Sequence, residues 1–132
     1  MTSIAIEEQF VKNFILKDKV KRICCELASN KKRDEAIQKI PCLLDSKYVV
    51  FSGKISNDKF IEIVKKYDCL QAKSNIISDD ADDGGCLLLD EAINKLMIAS
   101  GVFIAFTDKL AIIKDEYVSG AFSVCVLSKK GV

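Results

Sequence analysis

The chain contains no histidine, no tryptophan and a single proline in 132 residues. The missing histidine removes the commonest general base near neutral pH and the usual partner of a Ser or Cys nucleophile. It also leaves cysteine as the only soft metal ligand. No C-x-x-C spacing occurs, and apart from the adjacent pair Cys24-Cys25 the six cysteines stand singly. Neighbours on a helix point about 100° apart and do not chelate together easily. No zinc or iron–sulfur centre is expected, and no other metal or cofactor.

Long apolar runs are absent too: none approaches the ~20 residues that cross a bilayer. The first ten residues carry Glu7 and Glu8 and show neither a basic n-region nor an apolar h-region. A cytoplasmic protein with no membrane contact is the expectation. In that compartment the cysteines should be reduced, and their apolar surroundings suggest buried thiols acting as small hydrophobes. The formal charge of +1 gives no general footprint for nucleic acid, so no direct nucleic-acid partner is expected.

What is present is ordinary globular composition, 49% hydrophobic and 30% charged, which argues against disorder and for one domain over residues 1–132. Residues 4–28 read as helix with a break at Lys17-Asp18-Lys19; Ile6, Phe10 and Phe14 share one face, and Val20, Ile23, Cys24 and Leu27 resume the period. Ser29-Asn30 offers an N-cap for a helix over 31–39 that Pro41 ends. Tyr48-Val49-Val50-Phe51 reads as a strand closed by Ser52-Gly53. Ser56 or Asn57 caps a helix reaching Tyr67, and a short strand is expected at Asn75-Ile76-Ile77.

A later helix over 89–100 has Asp90 and Glu91 at its positive end, Gly101 as its stop, and a buried stripe of Ala92, Ile93, Leu96 and Met97. Strands over 102–106, 110–113 and 121–127 complete a C-terminal β-meander. Their unbroken apolar runs suit strands covered on both faces. The order predicts an α+β domain, with helices packed on a mostly antiparallel sheet.

Three catalytic or ligand readings fail on spacing. Ser52-Gly53-Lys54 lacks the phosphate loop's earlier glycine, where Tyr48 stands, and its hydroxyl, where Ile55 stands. Lys31-Lys32-Arg33 is followed at once by Asp34-Glu35 without aromatic interleaving, so it reads as a solvated helix start or the edge of a protein contact. Crowded aspartates on one loop, with no aromatic platform nearby, are a poor match to paired glycosidase carboxylates.

The stretch Asp79-Asp80-Ala81-Asp82-Asp83-Gly84-Gly85 is the outstanding feature. Between Lys73 and Lys95 lie six carboxylates (Asp79, Asp80, Asp82, Asp83, Asp90, Glu91) and no basic residue. Such a cluster sits in water, holds a cation or faces a basic partner. An EF-hand frame puts Asp79 at position one, Asp83 at five, Gly84 at six and Asp90 at twelve. Ala81 fails position three, Asp90 is shorter than the preferred Glu, and a strand precedes the loop, so ordered calcium is not expected. Solvent and a basic protein partner remain. The candidate partner-binding residues are Asp79, Asp80, Asp82 and Asp83, with Asp115 and Glu116, which otherwise read as an exposed strand end.

A family resemblance bears on that choice. Phe10-Val11-Lys12-Asn13-Phe14-Ile15, Lys17-Asp18-Lys19, Arg22, Glu26-Leu27 and Lys31-Lys32-Arg33 carry it early. Ile76-Ile77-Ser78, Gly84, the helix from Leu89, Lys109-Leu110-Ala111 and Glu116 with Gly120 carry it later. On these residues the chain resembles immunity proteins of bacterial polymorphic-toxin or contact-dependent inhibition systems. The resemblance implies a cytoplasmic, non-enzymatic inhibitor that binds a cognate toxin domain, often a nuclease, and blocks its active site. It carries over no individual binding residue. A small enzyme using carboxylates or a cysteine, and a structural homo-oligomeric subunit, are the alternatives; oligomeric state is not readable from the sequence.

Overall fold

Period-two alternation in the last three strands decides the architecture, because successive side chains point to opposite faces of a sheet. Ile104, Phe106, Ala111, Ile113 and Leu127 join one apolar cluster, while Phe103, Ala105, Leu110, Ile112, Val124 and Val126 join another. Both faces are therefore covered, and helices supply the covers. A computed structural model describes residues 3–68, 70–118 and 121–129, with side chains over 5–68, 70–114 and 123–129.

The element order is α1 (Ser3–Phe14), α2 (Val20–Leu27), α3 (Arg33–Lys39), β1 (Val49–Ile55), α4 (Asn57–Tyr67), β2 (Lys73–Ser78), β3 (Cys86–Leu88), α5 (Leu89–Ile98), β4 (Phe103–Phe106), β5 (Leu110–Val118) and β6 (Ala121–Ser128). The six strands form one sheet in the order β1-β6-β5-β4-β2-β3, with every pairing antiparallel. This is an α+β fold, and β4, β5 and β6 form its C-terminal meander.

The first three helices cover one face. Phe10, Val11 and Phe14 of α1 are buried there, with the Phe10 ring 4.8 Å from that of Phe106. Ile23 and Leu27 of α2, and Ala36 and Ile37 of α3, complete that layer. The other face carries Phe60 and Val64 of α4 and Leu89, Ala92, Ile93 and Leu96 of α5. Each of these larger side chains contributes about 1.5–3 kcal/mol by leaving water.

The expected elements are present with differences: α5 ends at Ile98 rather than at 100 before Gly101, β5 runs on to Val118 rather than 113, and four more follow. The third helix starts at Arg33 rather than 31, because the Ser29 carbonyl accepts from both Lys32 and Arg33 N–H groups and holds a turn there. Pro41 falls inside a short 3-10 turn, Ile40–Cys42, where its missing N–H is harmless. Gly53 does not close β1 but lies within it, opposite Val124, at φ 133°. β3 has only three residues and no pattern of its own to announce it. No helix among the described residues is long and apolar enough to cross a membrane.

The five described cysteines are free thiols, but only Cys24 and Cys125 are partly buried; Cys25, Cys42 and Cys86 are exposed, which corrects the expectation of burial. In the pair on α2, Cys24 turns toward the apolar layer and Cys25 toward solvent, as adjacent helical positions must. Burial raises the Cys24 and Cys125 thiol pKa values, with nearby Glu8 adding to the first and a Ser52 hydrogen bond opposing the second.

Candidate functional site

The acidic segment joins β2 to β3 as a tightly bonded loop. Backbone bonds run from Gly84 N–H to Ile76 O (2.9 Å), Gly85 N–H to Asp82 O (3.0 Å) and Asp83 N–H to Asp80 O (3.2 Å). Gly84 sits at φ 82°, a conformation that side chains disfavour, so glycine is needed at this turn. Asp80 works as a turn residue: its Oδ1 accepts from Ser78 Oγ at 2.7 Å and from the Asp82 N–H at 2.9 Å.

Asp83 is held from inside the protein. Its Oδ1 accepts from the Ser78 N–H at 3.0 Å, and both its oxygens accept from Arg33, Nε and Nη2, at 2.8 Å. The same guanidinium donates to both oxygens of Glu7, at 2.7 and 2.6 Å, and to the Leu27 carbonyl at 2.9 Å. Hydrogen bonds to Glu7 and then to Asp83 push the already high Arg33 pKa further up, against a smaller opposing effect of burial. One arginine thus ties α1, the end of α2, the start of α3 and the acidic loop together. Arg33 is not the solvated member of a basic run that the sequence suggested, whereas Lys31 and Lys32 are exposed.

The four loop aspartates therefore divide. Asp83 is bonded to Arg33, and Asp82 reaches Lys95 of α5 at 3.2 Å. Asp79 and Asp80 are exposed, and their hydrogen bonds come from neutral groups; Gln38 Nε2 donates to Asp79 Oδ2 at 2.9 Å. Neither has an ion-pair partner among the described residues. The Asp79 carboxylate lies against Gly101, where any β-carbon would collide with it.

Asp115 and Glu116 sit in β5 by backbone, and their side chains lie outside the described residues. The ladder nevertheless fixes their place. Ser78 pairs with Phe103, and Phe103 with Lys114, so the chain beyond Lys114 leaves the same end of the sheet as the acidic loop. Ser78 and Lys114 are separated by two strand spacings, about 10 Å. An irregularity in the β5–β6 register falls between Lys114 and Tyr117, at these two acids.

Ile98 was missing from the sequence-derived candidates. It is 83% exposed at the end of α5, one turn beyond Lys95 and so beside the Asp82 contact. The signal was there: position 98 falls off the expected stripe of Ala92, Ile93, Leu96 and Met97, of which Met97 is only partly buried while Leu89 completes the buried set. The result is a bonded, acidic sheet end with one exposed aliphatic side chain at its edge. Arg33 and Glu7, which hold it in shape, gave no local signal, since they meet across 26 residues.

No family model, no curated protein and no solved structure matches this chain.

Proposed function

We propose that the chain is a non-enzymatic binding protein that docks a basic protein partner on this acidic sheet end, most concretely an immunity protein that occludes the active site of a cognate bacterial toxin domain in the cytoplasm. The observation that carries the reading is the division of the loop. Asp82 and Asp83 are paired with cations and Asp80 spends one oxygen on the turn, while the charges of Asp79 and Asp80 stay exposed, with neutral partners only, in a loop whose conformation is already fixed. Fixed charge costs little ordering on binding and speeds encounter with an oppositely charged surface. Ile98 adds an apolar contact at the edge of the charged area, the kind of side chain that lengthens residence once encounter has occurred.

The test is co-purification with the C-terminal domain of a toxin encoded beside its gene, followed by binding kinetics at low salt. D79K/D80N, in which the Asn keeps the Oδ1 acceptor of the turn, slows association by about tenfold or more, and added salt erases the difference. Glu62, exposed on α4 beside β1 at the other edge of the sheet, is the control: E62K leaves the on-rate unchanged. An on-rate for D79K/D80N equal to wild type at low salt refutes docking through this loop.

A further inference from the structure

A groove of about 290 Å³ opens between α2 and the segment running from α3 into the Ile40–Cys42 turn. Its walls include Ile23 and Leu43, and Glu26 of α2 stands among them. That carboxylate is unusual: its side chain is 9% exposed, and its Oε1 is buried and accepts no hydrogen bond from the described residues. A buried carboxylate oxygen without a donor is costly, and nearly all such atoms in folded proteins find one. Oε2 is held by Lys39 Nζ at 3.4 Å. Arg22 Nε stands 3.8 Å from Oε1, too far for a hydrogen bond, and the Arg22 side chain is 68% exposed and free to leave.

The rest of the groove has the opposite charge. Lys19, Arg22 and Lys39 all line it, so one recessed carboxylate is surrounded by three cations. A ligand that satisfies both must bring a donor cation for Oε1, an anion for the lysines and an apolar body for Ile23 and Leu43. The volume lies at the small end of ligand pockets and suits a single amino acid. We infer that this groove binds a small zwitterion, a free α-amino acid with an aliphatic side chain, whose ammonium group displaces Arg22 and donates to Glu26. The groove meets the acidic sheet end at Gln38, which lines it and donates to Asp79, but the inference does not rest on the function proposed for that end.

L-Leucine, N-acetyl-L-leucine and L-leucinamide are titrated into the uniformly ¹⁵N-labelled chain and followed by amide shifts. L-Leucine moves the amides of Ile23, Glu26, Lys39 and Leu43 in a saturable way. N-Acetyl-L-leucine, which lacks the ammonium, binds at least tenfold more weakly, and leucinamide, which lacks the carboxylate, is weakened too. E26Q loses leucine binding by the same factor, while R22M, which removes the competitor, binds at least as tightly as wild type. Should E26Q fail to fold, the wild-type comparison of leucine with its acetyl derivative decides alone. Absence of saturable shifts up to about 10 mM, weaker than any affinity of use, overturns the inference. So does equal binding of the acetylated form, or loss of binding in R22M.

Discussion

Arg33 shows how much a single side chain does here. A guanidinium has five N–H donors, and all five are used: two on Glu7, two on Asp83 and one on the Leu27 carbonyl. Removing it leaves two carboxylates, 11% and 25% exposed, facing each other without a cation. R33M is expected to cost about 3 kcal/mol, read as a lower urea midpoint at unchanged slope. R33K recovers little, because an ammonium cannot serve two carboxylates and a carbonyl in the same fork geometry. The triple variant E7Q/R33M/D83N is more stable than R33M alone, since no uncompensated charge remains. If R33M is as stable as wild type, the bonded loop is not what fixes the acidic sheet end.

At the scale of elements, α5 is closed by another element as well as by its own C-cap, the Ala99 N–H on the Lys95 and Leu96 carbonyls. Lys114 of β5 is fully buried, and its Nζ donates to the carbonyls of Leu96 (3.0 Å), Met97 (3.4 Å) and Ala99. A cation at this end of a helix meets the partial negative charge of its last carbonyls. Burial nonetheless lowers the Lys114 pKa below its ordinary 10.5. Between that lowered value and 10.5 the unfolded chain holds more protons than the folded one, so this group's contribution makes stability rise with pH across the window. Urea unfolding from pH 7 upward should show that rise in wild type relative to K114M, which is also less stable at pH 7 by about 1–3 kcal/mol because three carbonyls lose a donor. A pH profile of K114M parallel to wild type contradicts the assignment.

The same element scale shows what could be read from the sequence. Helices α1, α2, α4 and α5 follow from apolar spacing, and β4 to β6 from apolar runs, because each buries a continuous stripe or face. β3 was invisible: three residues carry no period, and its pairing with Lys73, Ser74 and Asn75 depends on the loop closing first. Gly53 looked like a stop because glycine weakens strands, yet it continues β1 at a φ that other residues rarely adopt. G53A should therefore cost about 1–3 kcal/mol from backbone strain alone, since an added β-carbon there meets nothing within 4 Å. A thermal shift of G53A indistinguishable from wild type counts against that backbone geometry. In the acidic loop the charge was legible and its division was not, because Arg33 lies 50 residues from Asp83.

Across the whole molecule, two apolar clusters share one sheet. β2, β4, β5 and β6 each give alternate residues to both, so neither cluster survives if those strands separate. Unfolding is expected to be one cooperative event. The absence of tryptophan makes the test clean, because a single introduced indole is the only one reporting. Tyr48 packs against the α1–α3 side and Tyr67 against the α4–α5 side. In Y48W and in Y67W, the fluorescence transition in urea should coincide with loss of far-UV circular dichroism. A fluorescence change in either variant that precedes the loss of secondary structure shows one helix layer leaving before the other. The acidic loop follows β2, a strand shared by both layers, and is bonded to α3 on one side and α5 on the other. A partner bound there at a hundred times its Kd should raise both transitions together, by about 2.7 kcal/mol. Stabilisation confined to one layer's reporter contradicts both the shared core and the docking position.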